Sequence, residues 1–451
     1  MRIQRLIARL QLKPAQSLAL SFLGTILLGT VLLKLPFATA AGKSTSLIDA
    51  LFTATSATCV TGLVVVDTPT HFSTFGQVVI LLLIQAGGLG IMTLSTSLAL
   101  IFGRQMGLRS KLAMQNVLDQ VDVEGMKSLI LYILKMTLVI EVIGAVLLFL
   151  HWRGSFGELK AAYLAIFHSV SAFCNAGFSL FSNSFVSYKY DLVLNIVITF
   201  LIILGGIGFT VVADIQHTWF GRGRSSKPAS LTIHTKLVIT VTALLLLVGT
   251  LAIFFGEYDN CLQGIPWNKR LLCSYFQSVT ARTAGFNTLD IGKLTNVTLF
   301  IIAVLMFIGA SPGSTGGGIK TSTMGILVLF VRAMFRGQEK IELFNRTAPL
   351  DVVRKAVCVT LLSAALVCLL MFPLLATQKA NFIQLLFEAV SAFGTVGLST
   401  GITPQLTLTG KLIIAFLIFA GRIGPLTVAF AVGRRRRPPG ISYPEARVMV
   451  G

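Results

Sequence analysis

The chain has 451 residues, 54% hydrophobic and only 12% charged, with a mean hydropathy of +0.83 and a formal net charge of +20. Soluble domains are about one-quarter charged, so the composition excludes a soluble enzyme or binding module and places the chain in a bilayer. The positive charge is not read as nucleic-acid binding, because no aromatic–basic module accompanies it.

In chain order, apolar runs able to cross a hydrocarbon layer of ~30 Å fall at Ser17–Leu35, Val78–Ile101, Leu129–Trp152, Ile196–Val212, Leu237–Phe255, Ala356–Leu375 and Leu412–Val432. An eighth, Thr295–Val331, is apolar at both ends and interrupted in the middle. Eight spans leave no room for a sizeable soluble domain. The basic start, apolar stretch and Ala38-Thr39-Ala40 imitate a cleavable signal peptide. The stretch is too long for a signal core, and the repeats below need it as a membrane helix.

Alternate connections carry most of the basic charge. One set holds Arg2, Arg5, Arg9 and Lys13, then Arg104, Arg109, Lys111 and Lys127, then Arg222, Arg224, Lys227 and Lys236. It continues with Arg332, Arg336, Lys340, Arg346, Arg354 and Lys355, and ends with Arg434–Arg437 and Arg447. These are 23 basic residues, against 10 in the intervening connections. The positive-inside rule puts the richer set, and both termini, in the cytoplasm, where part of the charge meets anionic lipid. The six cysteines lack metal-type spacing; Cys261 and Cys273 fall outside the membrane and could form a disulfide or stay free thiols.

Four segments repeat: LFTATSATCVTGL at 51–63, IFHSVSAFCNAGF at 166–178, YFQSVTARTAGF at 275–286 and LFEAVSAFGTVGL at 386–398. Each ends in a glycine (Gly62, Gly177, Gly285, Gly397) followed by Leu or Phe. A second glycine motif follows each: Gly87-Gly88-Leu89-Gly90, Gly205-Gly206-Ile207-Gly208, a swollen version from Gly309, and Gly421-Arg422-Ile423-Gly424. Internal repetition fixes architecture. The fold expected is an all-α membrane protein of four helix–pore loop–helix units in pseudo-fourfold arrangement about one pore. Repeats are assigned to 1–103, 104–221, 222–340 (with the interrupted second helix) and 341–433, and 434–451 is a basic cytoplasmic tail.

The short apolar helix in each repeat cannot span, so it re-enters, and the loop after it must be buried or line a watery cavity. A helix stopping mid-membrane directs its partly negative carbonyl end to the centre. A glycine there lets carbonyl oxygens face the axis unobstructed, as in filters where carbonyls replace the hydration shell of potassium. The filter residues expected are Thr58, Cys59, Val60, Thr61 and Gly62; Cys174, Asn175, Ala176 and Gly177; Thr283, Ala284 and Gly285; and Thr395, Val396 and Gly397. No acidic residue lies in the loops, and Arg282 is expected to point behind its loop and tie it in place. For the second glycine motif, close helix packing and function remain equal readings.

The interruption reads Gly309-Ala310-Ser311-Pro312-Gly313-Ser314-Thr315-Gly316-Gly317-Gly318. A continuous helix there would lose about 1 kcal/mol per glycine and about 3 for the proline, so the helix is expected to break under the filter into a loop with little preferred conformation. The segment nearly spells a phosphate-binding loop, but Ile319 intrudes before Lys320 and no strand precedes it. Arg422, inside an apolar helix, needs an interior partner. Lys135 and Glu141 lie on different faces of one span and are read as separate contacts.

These motifs together resemble the Ktr/Trk/HKT superfamily of potassium transporters, and within it the KtrB-type membrane subunit. TCVTGL, CNAGF, RTAGF and GTVGLST cover all four repeats, joined by Gly309–Gly318 and Gly421-Arg-Ile-Gly-Pro-Leu-Thr427. The chain departs from TrkH-like members in having one helix before the first filter loop, and from plant HKT relatives with serine where Gly62 stands. The resemblance implies a bacterial inner-membrane homodimer with one pore per chain, on a cytoplasmic nucleotide-binding RCK ring (KtrA-like). It also implies sodium-stimulated potassium flux with no cofactor in this chain, and a role for Arg422 beside the broken loop. A sodium-conducting or sodium-coupled transporter of the same fold is the alternative. A membrane-embedded enzyme is disfavoured, because the ionisable residues at membrane depth are scattered and mostly cationic.

Overall fold

The computed structural model describes residues 14–90, 126–220, 230–338 and 340–425. Among these, all regular structure is helical apart from a hairpin pairing Glu342–Leu343 with Arg346–Thr347. Four outer helices are long: α1 (Pro14–Lys34), α4 (Met126–Phe156), α8 (Ile233–Gly256) and α12 (Leu350–Thr377). Each leads into a shorter buried one: α2 (Leu47–Thr58), α5 (Glu158–Phe173), α9 (Trp267–Thr280) and α13 (Phe382–Gly394). After each loop comes an inner helix: α3 (Thr74–Leu89), α6 (Leu192–Ile207), α10 (Asn296–Phe307) and α14 (Leu408–Ile423). Beyond α6 and α10 the chain continues as α7 (Phe209–Phe220) and α11 (Thr321–Phe335).

All four inner helices start with the same device. Ser73, Asp191, Thr295 and Thr407 accept a hydrogen bond from the backbone N–H three residues on, at 3.4, 3.0, 3.2 and 3.3 Å. Such caps satisfy N–H groups that a helix start leaves unpaired. The inner helices then pack head to tail around the molecule: α3 on α5, α6 on α9, α10 on α13, and α14 on α2. The last pairing closes the ring between the two ends of the chain. It is fastened by Lys411 Nζ and Asp49 Oδ1, 2.6 Å apart and one-fifth exposed or less.

In lipid, helices associate through close packing of small residues and not by expelling water. Glycines of three outer helices supply this. A Cβ on Gly29 would lie 2.7 Å from Leu83, one on Gly144 2.6 Å from Ser169 Oγ, and one on Gly249 would overlap Ser278 Oγ. The opposite faces of the outer helices present apolar side chains such as Leu138, Val142, Leu244 and Leu369 outward. On α4, Lys135 is exposed and Glu141 buried, so the two do occupy different faces.

The structure shows that the expected spans are not all unbroken helices. The outer helices are long, but α3, α6 and α14 have 16 residues each, or ~24 Å, which is short of the ~30 Å hydrocarbon core. The run Ile196–Val212, expected to be continuous, turns by 97° between α6 and α7. The helix expected at Val78–Ile101 ends at Leu89, and residues 91–125 lie outside those described. Also outside are Arg2, Arg5, Arg9 and Lys13, Arg104, Arg109 and Lys111, Arg222, Arg224 and Lys227, the run Arg434–Arg437 with Arg447, and the boundaries at 103, 221 and 433. Cys261 and Cys273 are free thiols, donating instead to the Lys293 and Lys189 carbonyls.

The outer connection of repeat 3 hangs on Glu257, just past α8. Its carboxylate accepts from Thr295 N–H and Oγ1, both at 2.9 Å, and from Asn260 Nδ2 at 2.6 Å. Burial opposes ionisation, but bonds from Thr298, Thr295 and Asn260 outweigh it and hold the carboxyl below the usual glutamate range. A depressed carboxyl pKa contributes stability above the unfolded-state value, and that stability is lost as pH falls through the lower folded value. Glu257→Gln should therefore cost about 1–3 kcal/mol at neutral pH and flatten the acid side of the melting-temperature profile. A melting profile matching the wild type from pH 4 to 8 would contradict this.

Candidate functional site

Every short buried helix ends in a loop of the same shape. Val60, Asn175, Thr283 and Thr395 adopt φ of +56°, +58°, +74° and +49°, and the glycine two residues later also has positive φ, from +68° at Gly177 to +94° at Gly397. Left-handed backbone is uncommon for β-branched residues, so three of these loops hold local strain. Such strain persists only where surrounding structure enforces it.

The enforcement is visible in the hydrogen bonds. Thr61, Ala176 and Val396 N–H groups donate to the carbonyls of Ser56, Ser171 and Ser391 at 2.8 Å, and Ala284 N–H to Thr280 O at 3.0 Å. The side chains of the same four residues hold the loop a second time. Ser56 and Ser391 Oγ accept from Gly62 and Gly397 N–H at 3.1 Å, while Ser171 Oγ and Thr280 Oγ1 donate to Phe178 and Phe286 carbonyls at 2.8 and 2.6 Å. In a trans peptide N–H and C=O point in opposite directions. Tying the N–H groups of Thr61, Ala176, Ala284 and Val396 backward therefore turns the carbonyls of the same peptides, on Val60, Asn175, Thr283 and Thr395, away from the short helix.

Neighbouring loops also meet one another, each glycine against a carbonyl oxygen of the next. A Cβ on Gly62 would strike Ala176 O, one on Gly177 would lie 2.8 Å from Ala284 O, one on Gly285 would strike Val396 O, and one on Gly397 would strike Thr61 O. Each glycine thus faces the carbonyl preceding the next repeat's glycine, and the sequence of contacts closes on itself after four steps. The loops expected at Thr58–Gly62, Cys174–Gly177, Thr283–Gly285 and Thr395–Gly397 come together as one ring, and their side-chain-bearing residues are wholly buried. The Cys174 thiol points behind the ring, donating to Gln85 Oε1 at 3.5 Å. Arg282 also points behind: its Nη2 donates to Thr242 Oγ1 at 3.5 Å, while its Nε is buried without a partner among the described residues. Outside the ring lies a vestibule of about 370 Å³ with Asp67 and Asp290 on its wall.

The second glycine motif serves two purposes. A Cβ on Gly87, Gly205 or Gly421 would collide with the carbonyl of Thr58, Phe173 or Phe393, the end of the short helix in its own repeat. Gly90, Gly208 and Gly424 stop the inner helices with φ of +76°, +98° and +91°. Helix termination is thus common to the repeats, and the third differs in the length of its insert.

That insert, Gly309–Gly318, lies against all the other repeats. Ser311 N–H donates to Gly206 O at 3.0 Å, Thr315 N–H to Gly205 O at 3.2 Å, and Phe209 N–H to Gly313 O at 3.0 Å. Gly317 N–H donates to Thr395 Oγ1 at 3.0 Å, and Ser311 and Thr321 hydroxyls meet at 2.9 Å. Arg422 donates to Thr315 O through Nη1 and to Gly87 O through Nη2, joining the insert to repeats 1 and 4. Lys320 Nζ holds the adjacent Gly316 O at 2.8 Å. In this pose the glycine-rich segment is hydrogen-bonded to neighbours in each of the other repeats. Ala310, Pro312, Ser314 and Gly318 complete it, Ser314 Oγ bonding Ser311 O at 2.6 Å.

Two sets of residues escaped the sequence reading. The bracing hydroxyls Ser56, Ser171, Thr280 and Ser391 were visible as one hydroxyl in each copy, five or six residues before the glycine. Lys320 was noted only as part of a false phosphate loop, although a lysine flanked by apolar helices already called for a carbonyl partner.

Long apolar helices enclosing a closed ring of re-entrant loops define a polytopic membrane transport protein. Residues 15–435 match the TrkH family model, described as a cation transport protein, and the chain belongs to that family. It is 43% identical over 440 residues to the Ktr system potassium uptake protein B of Bacillus subtilis, covering 97% of each chain. It is 42% identical to the protein of the same name from Vibrio alginolyticus, covering 96% of this chain and 94% of the relative. It is 39% identical to the potassium/sodium uptake protein NtpJ of Enterococcus hirae, over the whole of both. Among solved structures, the potassium transporter TrkH from Vibrio parahaemolyticus shares the fold with a TM-score of 0.69 at 19% identity, covering 94% of this chain and 86% of that one. The family is one of cation transporters, so the chain is not an enzyme.

Because Gly205 meets Phe173 O backbone to backbone, Gly205→Ala should lower the melting temperature by several degrees or abolish folding. Gly24→Ala, in open space, should be neutral or slightly stabilising. Equal effects of the two on thermal unfolding in detergent would refute the contact.

Proposed function

We propose that this chain mediates selective potassium uptake across a bacterial inner membrane, with the ring of four glycine loops as its selectivity filter. The observation that carries this reading is the closed cycle in which each glycine meets the carbonyl preceding the next repeat's glycine. Carbonyl oxygens converging on an axis substitute for the water shell of a monovalent cation. The ends of α2, α5, α9 and α13 add the partial negative charge of their terminal carbonyls. The Thr58 and Thr61 hydroxyls, buried without a partner among the described residues, are free to serve an ion, and the acidic vestibule raises the local cation concentration. The names of the Ktr relatives support potassium as the cargo. The relative named for both potassium and sodium supports sodium conduction or coupling as the second reading.

A Cβ at Gly62 would enter the ring. Gly62→Ser should therefore lower the potassium-over-sodium preference of uptake, measured in a potassium-uptake-deficient strain and in proteoliposomes, by roughly 1–3 kcal/mol of discrimination, or about 5- to 150-fold. Gly177, Gly285 and Gly397 should follow in direction with different magnitudes. An unchanged ion preference in folded Gly62→Ser protein would remove the filter assignment from the first loop.

Gly309–Gly318 is proposed as the gate beneath this filter, with Arg422 as its latch. A system named for several components fits a cytoplasmic nucleotide-binding ring that acts through α11 and the basic connection after it, on a homodimer of this chain. Arg422→Ala, or deletion within Ser311–Gly317, should raise flux and weaken its dependence on that partner while the ion preference stays at the wild-type value. Loss of flux in folded, membrane-inserted protein would make the segment structural instead.

A further inference from the structure

One residue after the phenylalanine of each short buried helix stands a buried side chain behind the ring: Thr53, His168, Gln277 and Glu388, each 1% exposed or less. In repeat 2 this position is fully paired. His168 Nε2 lies 3.1 Å from Ser179 Oγ and accepts from Leu180 N–H at 3.2 Å, and Nδ1 meets Leu164 O at 2.8 Å. Ser179 and Leu180 lie two and three residues past Gly177, so the outer limb of the loop folds back onto this side chain.

Repeat 4 keeps the arrangement and changes the chemistry. Glu388 Oε1 accepts from Thr403 Oγ1, and that hydroxyl oxygen lies 2.9 Å from Ser399 Oγ, two residues past Gly397. Glu388 Oε2 is buried with no partner among the described residues, and so is Thr400 Oγ1, three residues past Gly397 and equivalent to Leu180. No lysine, arginine or histidine among the described residues forms an ion pair with Glu388. Repeat 3 has a related gap, with Gln277 Nε2 and Oε1 and Thr288 Oγ1 all unpartnered among the described residues, but it carries no charge there. An ionised carboxylate in so dry a place needs a counter-charge, and orphaned buried polar atoms call for an unseen water, ion or ligand.

We propose that Glu388, with the hydroxyls of Ser399, Thr400 and Thr403, binds a sodium-sized monovalent cation behind the fourth loop, away from the axis of the ring. One carboxylate with neutral hydroxyl oxygens gives a site of net charge −1, which balances a monovalent rather than a divalent ion. The donors are all hard oxygens, as alkali and alkaline-earth cations prefer. An ion there would hold the outer limb of loop 4 against α13, as His168 holds loop 2 against α5. The site needs no assumption about what passes through the ring.

The test is thermal unfolding of the purified full chain at constant pH and ionic strength, with choline chloride replaced stepwise by sodium or potassium chloride. An ion that binds only the folded state raises the melting temperature with the logarithm of its concentration. Sodium should give a saturable upward shift of several degrees, which Glu388→Gln abolishes and the near-isosteric Thr400→Val reduces. Any potassium-dependent shift arising at the ring should survive in both variants, so the filter reading is judged separately. A wild-type protein that responds to sodium no more than to choline overturns the proposal, as does a full sodium shift in Glu388→Gln. A gain of stability on acidification that Glu388→Gln reproduces without sodium also overturns it, since the carboxyl would then be neutralised by a proton. Should Glu388→Gln fail to fold, an undiminished sodium shift in Thr400→Val overturns it.

Discussion

Backbone that leaves a helix inside a bilayer must find a partner for every N–H and C=O, because hydrocarbon offers none. In this chain one hydroxyl per repeat answers much of that demand. Ser56, Ser171, Thr280 and Ser391 each bond their loop through backbone carbonyl and side chain together. With the N–H groups held from behind, the carbonyls of the same peptides turn away from the short helices, and left-handed conformations at Val60, Thr283 and Thr395 become tolerable. The glycines follow from the same geometry, since four loops so oriented approach each other closely enough that a Cβ would strike the next carbonyl.

Repetition made the architecture legible. Four copies of a short apolar helix, a glycine and a second glycine motif specify four helix–loop–helix units without any knowledge of packing, and the ring joins those four glycines. The positions of Arg282 and Arg422 were legible for a different reason: a guanidinium at membrane depth must turn to protein, and both do. What sequence could not supply was the state of the glycine-rich insert. Local propensity predicts a loose segment, whereas Gly205, Gly206, Thr395 and Arg422 fix it from other repeats, and contacts more than 70 residues apart leave no local trace.

The helix breaks were half legible for a related reason. Gly208 sits in a run apolar on both sides, so hydropathy passes through it unchanged, although the backbone turns by 97°. Its positive φ, like those of Gly90 and Gly424, is that of a glycine that ends a helix. Glu388 was hidden differently, because it occupies one repeat among four at a position where the others carry Thr, His and Gln.

The contact between Arg422 and the insert also bears on how tight a seal the molecule needs. A guanidinium keeps its proton in any protein environment, and this one sits beside the insert, bonded to Thr315 and Gly87 carbonyls. A potassium ion ~6 Å from it, at an effective dielectric constant of ~20, would be repelled by ~3 kcal/mol. That is a reduction of about 100-fold in occupancy without any steric block. Leakage would then be governed by valence as well as by width: water or an anion of the same radius would meet no such penalty. As the proposed gate, the insert would thus oppose a cation by charge as well as by bulk.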